Sequence, residues 1–301
     1  MTTLVALVTE DRYTATEAAA GDWYLQNILD EDRLLSEALA RLDLSSMRVS
    51  WSDPSVDWSQ FRCAVIRSTW DYFDRFDEFQ AWLDRVQQAT QVCNPPATLD
   101  WNMDKHYLAD LEQRGVRIVP SRFIERETSV QLAALLDETG WQQAVVKPCI
   151  SGGARHTYRV DASNAREIDA VLAPLLEHES FLLQPFKQSI VEQGEDTLMM
   201  FGGRYTHAVR KRAKPGDFRV QDDHGGTVEL YAPTPEQIEL AHEAMAACDE
   251  LPVYGRVDMV QDAEGHAAVM ELELVEPELW LRLHPPAAVV MAEEIARWLE
   301  Q

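Results

Sequence analysis

The sequence is poor in basic residues. Its 301 residues include 27 Lys or Arg against 51 Asp or Glu, and the formal net charge is −24 at pH 7. Nucleic-acid binding needs a basic surface that displaces counterions, and docking to an anionic membrane needs basic clusters. The composition therefore excludes nucleic acid and anionic membranes as expected partners.

Long apolar runs and paired cysteines are also lacking. The first apolar run, residues 4–8, is followed at once by Glu10 and Asp11, so no secretory leader is expected. No stretch reaches the ~20 apolar residues of a membrane span. The four cysteines are far apart and form no CxxC pair, which argues against a disulfide or metal framework. Free thiols in a reducing cytoplasm are expected.

One local cluster runs against the overall charge. Six basic residues lie between positions 204 and 219, with only Asp217 against them: Arg204, Arg210, Lys211, Arg212, Lys214 and Arg219. Such a cluster in an acidic protein predicts an anionic ligand.

Strand and helix patterns alternate in the first ninety residues, which indicates an α/β layer. The predicted elements are strands at 4–8, 48–51 and 63–66 and helices at 22–41 and 75–88. An aromatic stripe on the last of these helices is expected to lie in the core. Pro95 and Pro96 then interrupt the pattern, and we place the end of a first domain, 1–96, at this point.

The rest of the chain is predicted to form two further units, 97–183 and 184–301. In the first of these, helices are predicted at 103–114, 129–138 and 164–176 and strands at 116–119, 144–148, 156–160 and 181–185. In the second, strands are predicted at 197–201, 205–210, 227–231, 253–260 and 267–275 and helices at 235–248 and 287–299.

A lysine at the end of a strand, Lys147, is followed by the turn Ser151-Gly152-Gly153. Glycine lets backbone amides approach a phosphate, and the ammonium supplies charge. The turn leads to a strand and lacks the P-loop pattern, so it is not a P-loop. A plain hairpin with a surface lysine is the alternative.

Four charged residues alternate on two predicted strands that a turn connects. Arg256 and Asp258 share one face, as do Glu271 and Glu273, because alternate strand residues point the same way. If the strands pair, three carboxylates and an arginine converge, which suits Mg²⁺ carried by a nucleotide triphosphate. A solvated polar hairpin face is the alternative. A further segment, from Lys214 through Gly225 and Gly226, is glycine-rich and cationic, and is either a lid over phosphates or a plain hairpin tip.

The order of these motifs resembles the ATP-grasp superfamily, over residues 97 to 300. Within it, segments 65–72 and 271–279 resemble a ligase group that includes the cyclising ligase of D-cycloserine biosynthesis. D-alanine–D-alanine ligase and bacterial glutathione synthetase are similar in single motifs. The resemblance implies an α/β and α+β protein in which an N-terminal α/β domain precedes two α+β lobes that hold ATP between them.

Roles for individual residues follow from the resemblance. The implied ATP-binding residues are Lys105, Lys147, Ser151, Gly152, Gly153, Lys211, the adenine hinge Gln184, Pro185 and Phe186, and either Glu192 or Glu195 at the ribose. The implied metal ligands are Asp258, Glu271 and Glu273, for two Mg²⁺ or Mn²⁺ ions. Arg256 and Arg219 would stabilise charge in the transition state. Two positions depart from the family: Ala154 follows the glycines, and Glu273 replaces a usual Asn.

Substrate recognition is assigned to Arg67, Ser68 and Asp71 and to Gly225 and Gly226. Arg67 follows a predicted strand, at the end where open α/β sheets bind ligands, and is suited to a substrate carboxylate. A structural ion pair with one of the many acids is the alternative. The implied activity is an ATP-dependent carboxylate–amine ligation of a small amino-acid-like substrate, intramolecular in the cyclising case. A small-molecule kinase and a non-catalytic ATP-binding accessory protein are the alternatives, and family resemblance implies a homodimer.

Overall fold

The structure is a computed structural model, and it describes residues 3–214, 225–262 and 264–301. The first sheet is parallel, with strand order β2-β1-β3-β4. Its elements are β1 (Thr3–Thr9), α1 (Trp23–Ala40), β2 (Leu44–Ser50), β3 (Cys63–Ser68), α2 (Phe76–Ala89) and β4 (Gln91–Cys93). Strands β1 and β3 are central and buried on both faces, as their continuous apolar sequences predict.

The aromatic stripe of α2 lies in the core, as predicted. Phe79 is fully buried, and Trp82 and Leu83 are each 1% exposed. Phe73, before the helix, instead lines the large cavity described below.

Pro95 and Pro96 were expected only to interrupt the strand and helix pattern, but Pro96 begins a helix. Proline is favoured at the first position of a helix. Helix α3 (Pro96–Met103) is followed by α4 (Tyr107–Gln113), so the helix predicted at 103–114 is confirmed from Tyr107 onward and wrong before it. Lys105 lies in the break between them, where its amide donates to the carbonyl of Cys149 at 2.9 Å. The break therefore places Lys105 beside the glycine-rich turn.

The strand predicted at 116–119 is also wrong. Only Ile118 forms a bridge, to Val269, flanked by hydrogen bonds that join Val119 and Arg117 to the same residue. The segment is apolar because it covers the edge of a neighbouring strand, not because it continues a ladder.

The central sheet is antiparallel, with order β5-β8-β6-β7. Its elements are β5 (Arg122–Ile124), α5 (Leu132–Thr139), β6 (Gln143–Pro148), β7 (Tyr158–Asp161), α6 (Ala165–Leu175) and β8 (Phe181–Pro185). On β6, Ala144 and Val146 face the helices, whereas Val145 and Lys147 face the cavity. The two-residue period of the strand thus directs Lys147 to the cavity.

The third sheet is antiparallel, with order β11-β10-β9-β12-β13. Its elements are α7 (Gln188–Glu192), β9 (Glu195–Phe201), β10 (Arg204–Arg212), β11 (Thr227–Tyr231), α8 (Pro235–Ala246), β12 (Tyr254–Gln261), β13 (Ala267–Glu273) and α9 (Pro286–Leu299). Helix α8 begins with a capping box between Thr234 and Gln237. Helix α9 packs on α1 and joins this unit to the first sheet.

The strands of the first and third sheets each fall within one predicted segment, whereas β8 of the central sheet crosses the predicted boundary at 183/184. The domain boundaries themselves stay a prediction. In the part of the chain that the structure describes, no helix combines the length and apolar character that crossing a bilayer requires.

Candidate active site

A cavity of about 770 Å³ lies between the units of the fold. Its walls come from β6 and β8 of the central sheet, from β9, β10, β12 and β13 of the third sheet, and from the segments that follow β1 and β3.

The predicted hairpin forms and carries the charged centre of this cavity. Strands β12 and β13 pair antiparallel, with Asp258 opposite Glu271 and Arg256 opposite Glu273. The Arg256 guanidinium donates to both oxygens of Asp258, at 3.0 and 2.8 Å, and also to Glu273. The predicted convergence of three carboxylates and an arginine is confirmed.

Glu271 is held by two lysines from the central unit. The Nζ of Lys105 lies 2.9 Å from Glu271 Oε1, and the Nζ of Lys147 lies 3.6 Å from Oε2. Burial alone would raise the pKa of Glu271, but the two ammonium groups outweigh it and lower the pKa to about 2. Glu271 is therefore ionised at neutral pH.

A third lysine enters from β10. Lys211 donates to Asp258 at 3.0 Å and also pairs with Glu195 of β9. Burial opposes ionisation of Asp258, yet Arg256 and Lys211 hold its pKa well below the usual range. Burial raises the pKa of Glu195 to about 7, although Lys211 opposes this.

These residues fit a nucleotide with a divalent ion. The donor set of Asp258, Glu271 and Glu273 consists of carboxylate oxygens, the ligands of hard cations such as Mg²⁺. Lys105, Lys147 and Lys211 supply three ammonium groups for phosphates. Lys105 and Asp258 are only 5% and 2% exposed, so these charges act where water screens them little.

The glycine-rich turn approaches the cavity closely. A Cβ on Gly152 would lie 2.7 Å from Cε1 of Phe73, so the turn leaves no room for a side chain there. The backbone oxygen of Ser151 accepts a hydrogen bond from Lys105 at 2.8 Å. Ala154 adopts a left-handed φ of 59°, a conformation that favours glycine.

The predicted adenine hinge lies only partly in the cavity. Gln184 and Pro185 line it. Phe186 does not, and its amide already donates to the carbonyl of Gln143 at 2.9 Å. The structure separates the two ribose candidates: Glu195 is buried and lines the cavity, whereas Glu192 is exposed and does not.

The proposed substrate residues of the first unit lie outside the lining of the cavity. Arg67 is 4% exposed and pairs with Asp32 at 3.3 Å and Glu31 at 4.0 Å, both on α1. Arg67 therefore forms the structural ion pair that was the alternative to a role in substrate recognition. Ser68 bonds to Thr9, and Asp71 accepts from Trp51 and Arg75. These three side chains brace the ends of β1 and β3.

The basic cluster does not form one phosphate-facing surface. Because strand residues alternate, Lys211 faces the cavity while its neighbours on β10 face acids elsewhere. These pairs are Arg204 with Glu294, Arg210 with Asp196 and Arg212 with Glu229. Arg219 and most of the proposed lid lie outside the described residues, and Gly225 and Gly226 are not among the lining residues.

Sequence reasoning missed the aromatic and acidic end of the cavity. Its lining residues include Arg12, Tyr13, Trp23, Tyr24, Trp70, Tyr72, Phe73, Glu276, Glu278 and Trp280. Glu276 and Glu278 follow closely on β13, which carries Glu271 and Glu273. Their position in the sequence could therefore have placed them near the same cavity. Tyr13, before α1, and Trp23 and Tyr24, at its start, carried no such signal, because aromatic residues at such positions are usually core.

Comparisons with known proteins agree with this geometry. Residues 5–94 match the model of the N-terminal domain of the D-cycloserine synthetase DcsG. The cycloserine biosynthesis protein DcsG of Streptomyces lavendulae is 33% identical over 282 residues, which cover 88% of this chain and 93% of that protein. A crystal structure of D-cycloserine synthetase DcsG superposes with a TM-score of 0.86 at 30% identity, and covers 98% of this chain and 99% of that one.

A more distant structure extends the likeness. D-alanine–D-alanine ligase from Bacillus anthracis, complexed with ATP, superposes with a TM-score of 0.68 at 16% identity, over 99% of this chain and 97% of that one. This likeness concerns the fold alone, and it confirms the expected ATP-grasp architecture. The chain belongs to the D-cycloserine synthetase family DcsG, a family of ATP-dependent ligases with the ATP-grasp fold.

Proposed function

We propose that the chain is an ADP-forming carboxylate–amine ligase that closes a ring within a small amino-acid-like substrate. The observation that carries the proposal is the meeting of three lysines with the Asp258–Glu271 carboxylate pair in one cavity. The name of the relatives, D-cycloserine synthetase, supports a cyclic product. A homodimer remains part of the proposal.

The reaction has two balanced steps. A carboxylate oxygen of the substrate attacks the γ-phosphorus of ATP, the bond from that phosphorus to the bridging oxygen breaks, and ADP leaves. A nitrogen of the same molecule then attacks the acyl carbon, the carbon–oxygen bond to phosphate breaks, and a proton is released. The protein mainly positions the partners and neutralises charge.

The position of each residue in the cavity indicates its role in these two steps. Lys105, Lys147 and Lys211 bind phosphate oxygens, and Glu195 is suited to the ribose hydroxyls. Asp258, Glu271 and Glu273 would hold Mg²⁺, which would supply positive charge to the phosphates. Arg256, fixed by its two bonds to Asp258, offers charge to the transferring group.

The test follows ADP release with Mg²⁺, ATP and the ring-opened amino acid of D-cycloserine, together with its N-substituted derivatives. Asp258→Asn and Glu271→Gln are expected to lower the turnover number by at least about a hundredfold, since each removes a charged ligand. Glu264→Gln, at the exposed turn of the same hairpin, is the matched control and keeps full turnover.

Hydroxylamine separates the alternatives. A ligase yields a hydroxamate because hydroxylamine intercepts the acyl phosphate. A stable phosphorylated product without hydroxamate would establish a kinase instead, and ATP binding without turnover on any substrate would establish an accessory protein. Full turnover in Glu271→Gln would contradict the metal assignment.

A further inference from the structure

An aromatic wall stands at the end of the cavity that the nucleotide residues leave free. We use this name for Tyr13, Tyr24 and Trp70, whose ring centroids lie 5.6 to 6.1 Å from one another. All three line the cavity. The indole nitrogen of Trp70 donates to the backbone oxygen of Glu276 at 3.0 Å, which joins the wall to the segment after β13.

Glu276 differs from the other carboxylates of the cavity. The others have basic partners: Asp74 with Arg155, Glu195 and Asp258 with Lys211, Glu271 with Lys105, Glu273 with Arg256, and Glu278 with Arg282. Across residues 3–214, 225–262 and 264–301, no side chain forms a hydrogen bond or ion pair with the Glu276 carboxylate; its own amide approaches it.

Lys105 and Arg256 act on Glu276 only from a distance, and each pairs with another carboxylate. Burial, and then the nearby Glu273, raise the pKa of Glu276 to about 8. An ionised carboxylate in such a place is costly unless a cation pairs with it. Among the described residues no basic side chain pairs with Glu276, so a ligand is the natural source of that cation.

Tyr72 is a further polar side chain of this cavity. Burial raises the pKa of Tyr72 strongly, and the charge of Glu276 is the next largest cause, followed by Glu271 and Glu273. Its hydroxyl is therefore protonated at neutral pH and lies among carboxylates. The side chain lines the cavity.

We propose that Glu276 and the aromatic wall form the subsite that binds the ammonium group of the substrate. The faces of Tyr and Trp rings attract cations, and the carboxylate supplies the opposite charge. An ammonium group would favour the ionised form of Glu276 and pair with it, whereas an apolar group would leave Glu276 unpaired. The inference rests on the proposed function, because an amino-acid-like substrate carries this ammonium.

The test uses two compounds that differ by one group. D-cycloserine carries a primary amine on its ring, and isoxazolidin-3-one is the same ring without it. Binding of each is measured by calorimetry with ADP and Mg²⁺, at a pH below the pKa of the amine. The wild-type chain is expected to bind D-cycloserine about ten- to hundredfold more tightly, as for a hydrogen bond between charged groups.

Glu276→Gln is expected to remove most of this difference, while the affinity for isoxazolidin-3-one changes little. Glu278→Gln is the matched control, because Glu278 already pairs with Arg282 at 2.7 Å, and it keeps the difference. The melting temperature of Glu276→Gln should not fall, since the substitution breaks no side-chain ion pair. A structural role for Glu276 would instead lower it and weaken both compounds equally.

Two results would overturn the inference in distinguishable ways. If Glu276→Gln kept the wild-type preference for D-cycloserine, the ammonium subsite would lie elsewhere and the proposed function would stand. If wild-type protein bound neither compound, the proposed cyclic product would fall and the subsite with it.

Discussion

The close approach of the glycine-rich turn to Phe73 makes Gly152→Ala a sharp test of the phosphate cradle. The new Cβ would lie 2.7 Å from Cε1 and 3.1 Å from Cδ1 of the ring, which Tyr72 meets edge-on at 5.6 Å between centroids. The turn or the ring must shift, and overpacking of this kind costs about 1–3 kcal/mol. If the shift withdraws the amides from the phosphates, ATP affinity falls about 5- to 150-fold.

Calorimetric titration of ATP with Mg²⁺ measures this loss, and two further variants isolate its cause. Gly153→Ala meets nothing within 4 Å and bears only the strain of a left-handed φ of 56°, about 1–2 kcal/mol. Phe73→Leu should restore affinity to Gly152→Ala but not to Gly153→Ala. Wild-type affinity in Gly152→Ala, or no rescue by Phe73→Leu, would refute the reasoning.

Two other predictions concern stability. Arg67→Leu removes one basic partner of Asp32, which keeps Arg48, and of Glu31, which keeps Arg282. It should lower the free energy of unfolding by about 2 kcal/mol in urea, with the substrate KM unchanged; a raised KM at unchanged stability would restore the substrate role. Burial, and then His284, lower the pKa of His207 to about 4, so between pH 6.5 and 4 the unfolded chain binds a proton that the folded chain does not. The contribution of His207 to stability should therefore fall by about 2 kcal/mol from pH 7 to pH 5, and the difference in unfolding free energy between wild type and His207→Gln should change by this amount in urea titrations at the two pH values.

The sequence predicted the parts of the site that depend on local periodicity. Asp258 and Glu271 could be placed on facing strands because a two-residue period and a turn determine which side chains share a face. Lys105 could be identified from motif order but not placed, because the break between α3 and α4 depends on contact with Cys149. Long-range pairing is invisible in one sequence, so the ion pairs of Arg67 with Asp32 and Glu31 on α1 could not be predicted.

The same limit explains the basic cluster. Its residues are adjacent in sequence, but the acids that neutralise them, Glu294, Asp196 and Glu229, come from other elements. A run of like charges therefore predicts an anion site only where strand alternation turns a residue inward. On β10 that residue is Lys211.

The ion pairs of the cavity also bear on how an acidic protein captures ATP. The negative net charge opposes approach of an anion, so attraction must come from local groups. Lys105 and Lys211 pair with Glu271 and Asp258, the carboxylates that are suited to metal. Under the proposed function, these lysines would leave the carboxylates and bind phosphate oxygens when MgATP enters. The carboxylates would then hold the metal in place of the lysines. Nucleotide alone would draw the lysines away and leave the carboxylates without a cation, and metal alone would leave the lysines without an anion. We therefore expect nucleotide binding and metal binding to favour each other.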